Sequence, residues 1–403
     1  MSTKTKRTRA GRLIGVVTAL ALLAVPPMAS AYAEDPEPEA KAIGRAAALR
    51  VDAAIIAADH GWGEKATRRH LRNQESFGEV AAEIAKRFPA KFAGSVFAAR
   101  PGGTSHVYFK GAVPAAAETT AEDSGLKVEL TGGRPYSANE LQQRSVEAVQ
   151  FYADLGYEQV SSAVLANGLI GVGVTGEKKP GSRLPEHLRD GIRVRFVEDD
   201  VVVNEHTYGG ARVRNTTTGS TCTSGFTVAS LTTGTTGATT AAHCSGMNEY
   251  RQPNTAPAID YGFTFQTQHE GLLGDVEWHT GDGHVEEAEY YASPSDLREV
   301  NAVDGWISVN ESVCVYSRVQ GTRNCDQVYS TLVNSFTSGG LVSSLVATDN
   351  DNTVAGDSGG PWSYSTTSTG GHRGDQWIWF GTRNVFSRAS LFPLAIGVAV
   401  LVQ

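Results

Sequence analysis

Gly356-Asp357-Ser358-Gly359-Gly360-Pro361 sets a serine in a glycine turn, and Thr240-Ala241-Ala242-His243-Cys244 upstream sets a histidine beside a cysteine. A serine hydroxyl is a weak nucleophile at its free pKa. It needs an imidazole to take its proton and donors to hold the oxyanion that follows. Either stretch alone is an ordinary turn or a packed residue; together, histidine before serine, they point to covalent acyl transfer.

Upstream of both stretches, Ile192, Val194 and Phe196 alternate as in a half-buried strand, as do Val201 and Val203. Gly209-Gly210 followed by Ala211-Arg212-Val213 reads as the first turn and strand of a new domain. Short strand-like segments follow at 225–229, 239–242, 261–266, 275–279, 313–317 and 327–333, separated by Gly, Asn and Ser turns. This pattern predicts an all-β barrel or sandwich, with helical character only at 389–400. An α/β-hydrolase would alternate helices with strands and would place its histidine last.

The third member of such a site is an acid that orients the histidine, and the order confines it to the chain between His243 and Ser358. Asp260 and Asp275 compete. Only Asp275 leaves room for a strand pair after the histidine, and Val276 and Trp278 alternate behind it as inward neighbours would. Asp275 is therefore preferred. In the mechanism this predicts, His243 is the base, Ser358 the nucleophile and Asp275 the orienting acid, while the backbone amides of Gly356 and Ser358 hold the oxyanion. A side chain at Gly356 would strain that turn.

Other polar groups receive plainer readings. Glu277, His279, Asp282, His284, Glu286 and Glu287 read as a solvated hairpin rather than a metal site. Trp377, Trp379 and Phe380 read as a half-buried strand. Asn352 stands where a basic-residue pocket would want a carboxylate, and Asp349 and Asp351 are offset from it, with Asp351 expected to face solvent. An apolar or medium pocket is favoured, and no metal or cofactor is called for.

At the N-terminus, Lys4, Lys6, Arg7, Arg9 and Arg12 precede an apolar run at 13–25 and small residues at Ala29, Ala31 and Ala33. That is a signal peptide over 1–33, cleaved after Ala31 or after Ala33, and it implies a secreted protein. Cys222, Cys244, Cys314 and Cys325 are an even set in the second half. Exported chains favour disulfides, and sequence-local pairing joins Cys222 to Cys244 and Cys314 to Cys325. The net charge of −8 gives no reason to bind nucleic acid. The apolar tail at 391–402 contains Pro393, is too short for a membrane span, and is expected to pack as a closing helix or strand.

Composition divides the 403 residues in two. After an acidic linker at 34–39, the first half carries helical spacing at 40–58 and 79–88, and strands at 92–98 and 106–110. A capping box at Ser137 and Glu140 then opens a helix through Ala153, before a glycine-bearing strand at 168–175. This reads as helix and sheet twice over. His60, His70, His106 and His187 are scattered and read as packing or surface residues. Lying between a leader and an apparent hydrolase, residues 34–206 are read as a removable pro-region that partners residues 207–403.

The histidine and serine motifs, with Cys222-Thr223-Ser224-Gly225-Phe226, resemble the chymotrypsin-like serine proteases, and more narrowly the secreted bacterial branch of streptogrisins and alpha-lytic protease. The resemblance spans about 207–403. It implies a double β-barrel with the site in its cleft, a Cys222–Cys244 disulfide bracing the histidine loop, a Cys314–Cys325 disulfide, and an inhibitory N-terminal pro-region assisting folding. Three stretches depart from that pattern. No cysteine occurs at 352–355. Val315 follows Cys314 where the family has an arginine, so Asp357 needs another partner, with Arg318 a candidate. Gly371-His372-Arg373-Gly374 replaces a stretch in which a serine backs the buried acid and a strand pairs with substrate. The leading expectation is a monomeric serine endopeptidase acting on polypeptides; a catalytically silent binding protein and a serine esterase are the alternatives.

Overall fold

The computed structural model describes residues 42–197, 202–204, 210–251, 260–281, 286–337, 339–379 and 381–403. The expected leader at 1–33, the linker at 34–39 and the 206/207 boundary lie outside them, as do Asp282, His284 and Phe380. Among the described residues no helix is long and apolar enough to cross a membrane.

The Thr-, Ser- and Val-rich second half folds almost wholly as strands, because branched and small side chains suit a pleated, half-buried surface. Ser312–Ser317 pairs with Pro361–Tyr364, then the order runs through Thr367–Ile378, Gly381–Arg388, Gly340–Thr348 and Thr322–Thr337. The last of these pairs back onto Ser312–Ser317, closing a barrel around Val313, Val315, Val328, Val346, Trp362 and Phe386. A second, eight-stranded sheet runs from Val398–Val400 through Thr227–Ser230, Thr236–Thr240, Gly274–Gly281, Asp260–Gly271, Glu249–Arg251 and Arg212–Arg214 to Thr221–Thr223. Phe226, Val276, Trp278 and Phe392 pack on it. The all-β expectation holds, in the two-barrel rather than the sandwich form.

The helical character read at 389–400 reduces to a turn at Ala389–Leu391 and the five-residue helix Phe392–Ile396. Pro393 is tolerated in a first helical turn, but Gly397 at φ 69° ends the helix at once. The chain then closes as the strand Val398–Val400 beside Thr227–Ser230.

In the first half, the helices Arg45–His60 and Glu64–Arg87 precede a three-stranded sheet of Phe92–Val96, Ser105–Lys110 and Val128–Arg134. The helical stretch read at 79–88 is the end of the second helix, whose Phe77 and Ile84 pack with Val107 and Phe109 of the sheet. The Ser137 capping box forms: the Glu140 N–H donates to Ser137 Oγ at 3.3 Å and the Ser137 N–H to Glu140 Oε2 at 2.8 Å. It opens the helix Ala138–Asp154. His70 is buried against Phe97, while His106 and His187 sit near Glu129 and Glu147.

Helix and sheet do occur twice, but the second copy has no sheet of its own. Its strand Val160–Val164 pairs with Thr322–Thr337, so Ile170–Thr175 and Ile192–Val197 extend the barrel's sheet outward. The glycines of Ile170–Thr175 allow this close packing. A Cβ at Gly171 would lie 3.0 Å from the Trp379 ring, and one at Gly173 would lie 3.1 Å from Trp377. The two tryptophans thus cover first-half strands.

The helix Arg45–His60 is held to the barrel by Asp52, which is fully buried. Arg298 Nη1 donates to its two oxygens at 2.9 and 3.0 Å, Arg323 donates through Nε at 2.8 Å and Nη2 at 3.1 Å, and the Ser365 N–H donates at 2.5 Å. Burial alone would raise the Asp52 pKa, but the two guanidiniums and these hydrogen bonds hold it below the ordinary carboxylate value. On the next helix, Gln74 gives and takes one hydrogen bond each with the Ser312 backbone.

Candidate active site

Three segments converge. His243 lies in the single turn Ala242–Cys244 after the strand Thr236–Thr240, and Asp275 stands at the start of Gly274–Gly281, which pairs with that strand. Ser358 lies in the turn before Pro361–Tyr364. Cys222 is disulfide-bonded to Cys244, next in chain to His243, and the Thr223 N–H donates to the Ser358 carbonyl at 3.0 Å. One strand therefore ties the histidine turn to the serine turn. Cys314 is bonded to Cys325 across paired strands of the closed barrel.

The serine turn depends on its glycines. Gly359 has φ 89°, and a Cβ there would lie 2.3 Å from the Thr223 carbonyl oxygen and 2.4 Å from Thr240 Oγ1. Gly356 has φ 120°, a conformation that side-chain-bearing residues rarely adopt. Asp357, fully buried, accepts the Val354 N–H at 3.1 Å and the Val319 N–H at 3.4 Å. Backbone amides thus satisfy this carboxylate where the family pattern would supply an arginine.

His243 Nδ1 lies 2.6 Å from Asp275 Oδ2, and its Nε2 lies 3.0 Å from Ser358 Oγ. Its own backbone N–H donates to Asp275 Oδ1 at 3.1 Å, so the acid fixes both the ring and the turn. Burial alone would raise the Asp275 pKa; the charge and hydrogen bonds of His243, with the charge of Arg373, outweigh it and set the value at about 2. The carboxylate is ionised, and an imidazole so held presents its second nitrogen to the hydroxyl. Asp260 stands elsewhere, paired with Arg251 and Arg212 at the start of its strand.

The solvated-hairpin reading fails for Glu277 and His279. Both are fully buried, 2.9 Å apart, with the His279 ring stacked on Phe263 at 4.2 Å. Alternation misleads here because Gly274–Gly281 is covered on both faces: Val276 and Trp278 fill one side, Asp275, Glu277 and His279 the other. Behind the serine turn the lining is polar. Asn384 Nδ2 donates to Thr353 Oγ1 at 2.7 Å and to Asp351 Oδ1 at 3.2 Å, and also to Asp375. Asp351 is exposed, as expected.

Near the acid, Ser387 and Glu270 escaped the sequence reading, and Arg373 was named there only as part of the departing stretch 371–374. Ser387 Oγ accepts the Asp275 N–H and donates to its carbonyl. Arg373, 3% exposed in its side chain, brings Nε to 3.4 Å from Asp275 Oδ2 and Nη2 to 3.6 Å from Glu270 Oε1. Its carbonyl accepts from Ser358 Oγ at 3.4 Å. Glu270 is the direct cross-strand partner of Asp275. His372, flagged with Arg373, turns instead into the barrel, its Nδ1 accepting from Trp362 Nε1 at 3.2 Å and its Nε2 3.1 Å from Thr353 Oγ1.

No family model and no curated protein matches the sequence. Among solved structures, the chain is similar to serine proteases. One is a glutamic acid specific serine protease described as using a histidine triad in substrate binding, 18% identical over 48% of this chain and 100% of that one, TM-score 0.40. Nocardiopsis protease is 18% identical over 48% of this chain and 97% of that one, TM-score 0.38. Thermobifida fusca protease A is 19% identical over 50% of this chain and 97% of that one, TM-score 0.37. These likenesses add nothing to the chemistry read from His243, Asp275 and Ser358.

Proposed function

We propose that this chain is a secreted serine endopeptidase made as a zymogen, with residues 1–33 a signal peptide, 34–206 a pro-region and 207–403 the protease domain. The observation that carries the reading is the imidazole of His243, in hydrogen-bond contact with a buried carboxylate on one nitrogen and a serine hydroxyl on the other.

In this reading Ser358 Oγ attacks the scissile carbonyl carbon as its proton passes to His243 Nε2, and the C–O bond forms while the carbonyl electrons move onto oxygen. The amides of Gly356 and Ser358 hold that oxyanion. Its collapse breaks the C–N bond, and His243 returns the proton to the leaving amine. Water then repeats the sequence on the acyl-enzyme, with the same proton transfers, and releases the acid. Asp275 keeps the imidazole in one tautomer and offsets the charge of the imidazolium.

The zymogen part draws support from the strand Val202–Asn204, which runs antiparallel to 374–376, next to the carbonyl that Ser358 meets. A strand added to a sheet edge is how extended peptides are held, so a chain segment there competes with substrate. The two disulfides and the buried Asp52 anchor fit an exported chain whose first half docks on its second.

The test is intact mass after treating the secreted protein with a fluorophosphonate, alongside S358A and H243A. A single adduct on the native chain, absent from S358A and much reduced in H243A, supports the reading. No adduct on folded, processed protein overturns it in favour of a protease-like binding protein. Hydrolysis of esters with no peptide cleavage would identify an esterase.

A further inference from the structure

We propose that Arg373 is a positioning residue for the Asp275–His243 pair: a fixed buried cation which, counterbalanced by Glu270, sets how readily the imidazole takes up a proton. This rests on the acyl-transfer reading above.

Glu270 and Asp275 stand directly opposite each other on paired strands, one step from the Leu272–Leu273 turn. Two carboxylates so placed repel, and burial magnifies the repulsion. Burial, together with the charge of Asp275, does raise the Glu270 pKa. At an exposed pair, solvent would relieve this conflict.

Arg373 resolves it differently. Its guanidinium reaches both acids, at 3.4 Å and 3.6 Å, from a third strand. Among the described residues neither Nε nor Nη2 makes a hydrogen bond, so these two nitrogens meet the acids through charge. The same residue presents its carbonyl to Ser358 Oγ, so its backbone is fixed to the nucleophile while its side chain faces the acid. A neutral serine backing the acid could orient it; a guanidinium also changes the field at the imidazole.

Among the described residues, the titratable and charged groups around His243 include Asp275, Glu270 and Glu277 from the two paired strands, and Arg373 and His372 from Thr367–Ile378. Arg373 is the fixed cation of this group. A positive charge near the pair disfavours the imidazolium, and the Glu270 carboxylate favours it. The two side chains therefore push the acid limb of reactivity in opposite directions, which a space-filling or fold-holding role does not do.

The experiment is the rate of fluorophosphonate labelling against pH for the native chain, R373M, R373K and E270Q, with circular dichroism as the folding control. R373M moves the acid limb to higher pH by about 0.5–1 unit, as expected for one partly screened charge at this range. E270Q moves it to lower pH, and R373K keeps it near the native position. Unmoved limbs, or limbs moved the same way in R373M and E270Q, overturn the inference. If R373M does not fold, the downward shift of E270Q with retention in R373K carries the test, and an unmoved E270Q limb overturns it. A native chain that is never labelled sinks the acyl-transfer reading, and this inference with it; a labelled native chain with unmoved variants sinks this inference alone.

Discussion

Ser387 clasps the backbone of Asp275 from both sides: its Oγ accepts the Asp275 N–H at 2.9 Å and donates to the Asp275 carbonyl at 3.1 Å. The bond crosses from Gly381–Arg388 of the closed barrel to Gly274–Gly281 of the other sheet. A single hydroxyl therefore fixes the acid's main chain across the join between the two sheets.

Replacing Ser387 by alanine leaves a buried N–H and C=O without partners, which costs about 1–3 kcal/mol. Urea unfolding of S387A is expected to show a lower midpoint. Peptide hydrolysis is expected to fall chiefly in kcat, because the carboxylate rather than substrate contact is disturbed.

Asp275→Asn keeps the shape and removes the charge. Hydrolysis is expected to fall by about 10⁴-fold at neutral pH, since an amide can hold the wrong imidazole tautomer. Comparison of kcat for D275N and native protein on one peptide checks this, and an unchanged kcat would return Asp260 to consideration.

Acid stability follows from the same carboxylate. Its pKa falls from an ordinary 3.8 to about 2 on folding, so its contribution, about 2 kcal/mol, is fully present above roughly pH 4 and is lost as pH falls from there through 2. Asp52, also lowered, loses its contribution in the same direction. Denaturant midpoints measured from pH 6 down to pH 2 are expected to drop steeply in the native chain and less steeply in D275N.

Asp52→Ala removes the carboxylate that, among the described residues, bonds both Arg298 and Arg323; Arg298 keeps Asp296, but the buried Arg323 guanidinium is left with no carboxylate partner there. Breaking a buried pair in this way costs about 3–5 kcal/mol, whereas an exposed pair costs little. D52A is expected to lower the unfolding midpoint far more than R68A, whose exposed pairing with Glu64 serves as control.

Gly359→Ala is expected to abolish the yield of folded protein. The added methyl would meet the Thr223 carbonyl at 2.3 Å, and backbone cannot step aside as the tip of a side chain can. Yield of soluble, folded protein on expression, against the native chain, measures it.

The strands, the serine and histidine turns and the placing of Asp275 rather than Asp260 beside His243 were legible because each has a local signature: alternation, a glycine turn, or room for a hairpin. The supports of the acid were not. Ser387 and Arg373 reach Asp275 from strands distant in the chain, and no spacing rule connects them. Glu277 and His279 misread as solvated because a strand buried on both faces loses the polar-outside pattern that alternation relies on. The first half deceived in another way: it reads as a module with helix and sheet of its own, whereas Val160–Val164 pairs with Thr322–Thr337 through a long-range register that sequence does not print.

The Asp52 anchor also orders events in time. Asp52 and Arg298 are 246 residues apart, and Asp52 and Arg323 are 271. At about 10 residues per second of synthesis, Asp52 precedes Arg298 by roughly 25 s. The helix that bears it cannot reach its full charged receptor until the eight-stranded sheet, save its last strand, and the first strand of the closed barrel have been made. Closing so long a loop belongs to the late, slow part of assembly. A chain cut short before Arg323 would keep its first helix and lack half of the receptor on which that helix docks.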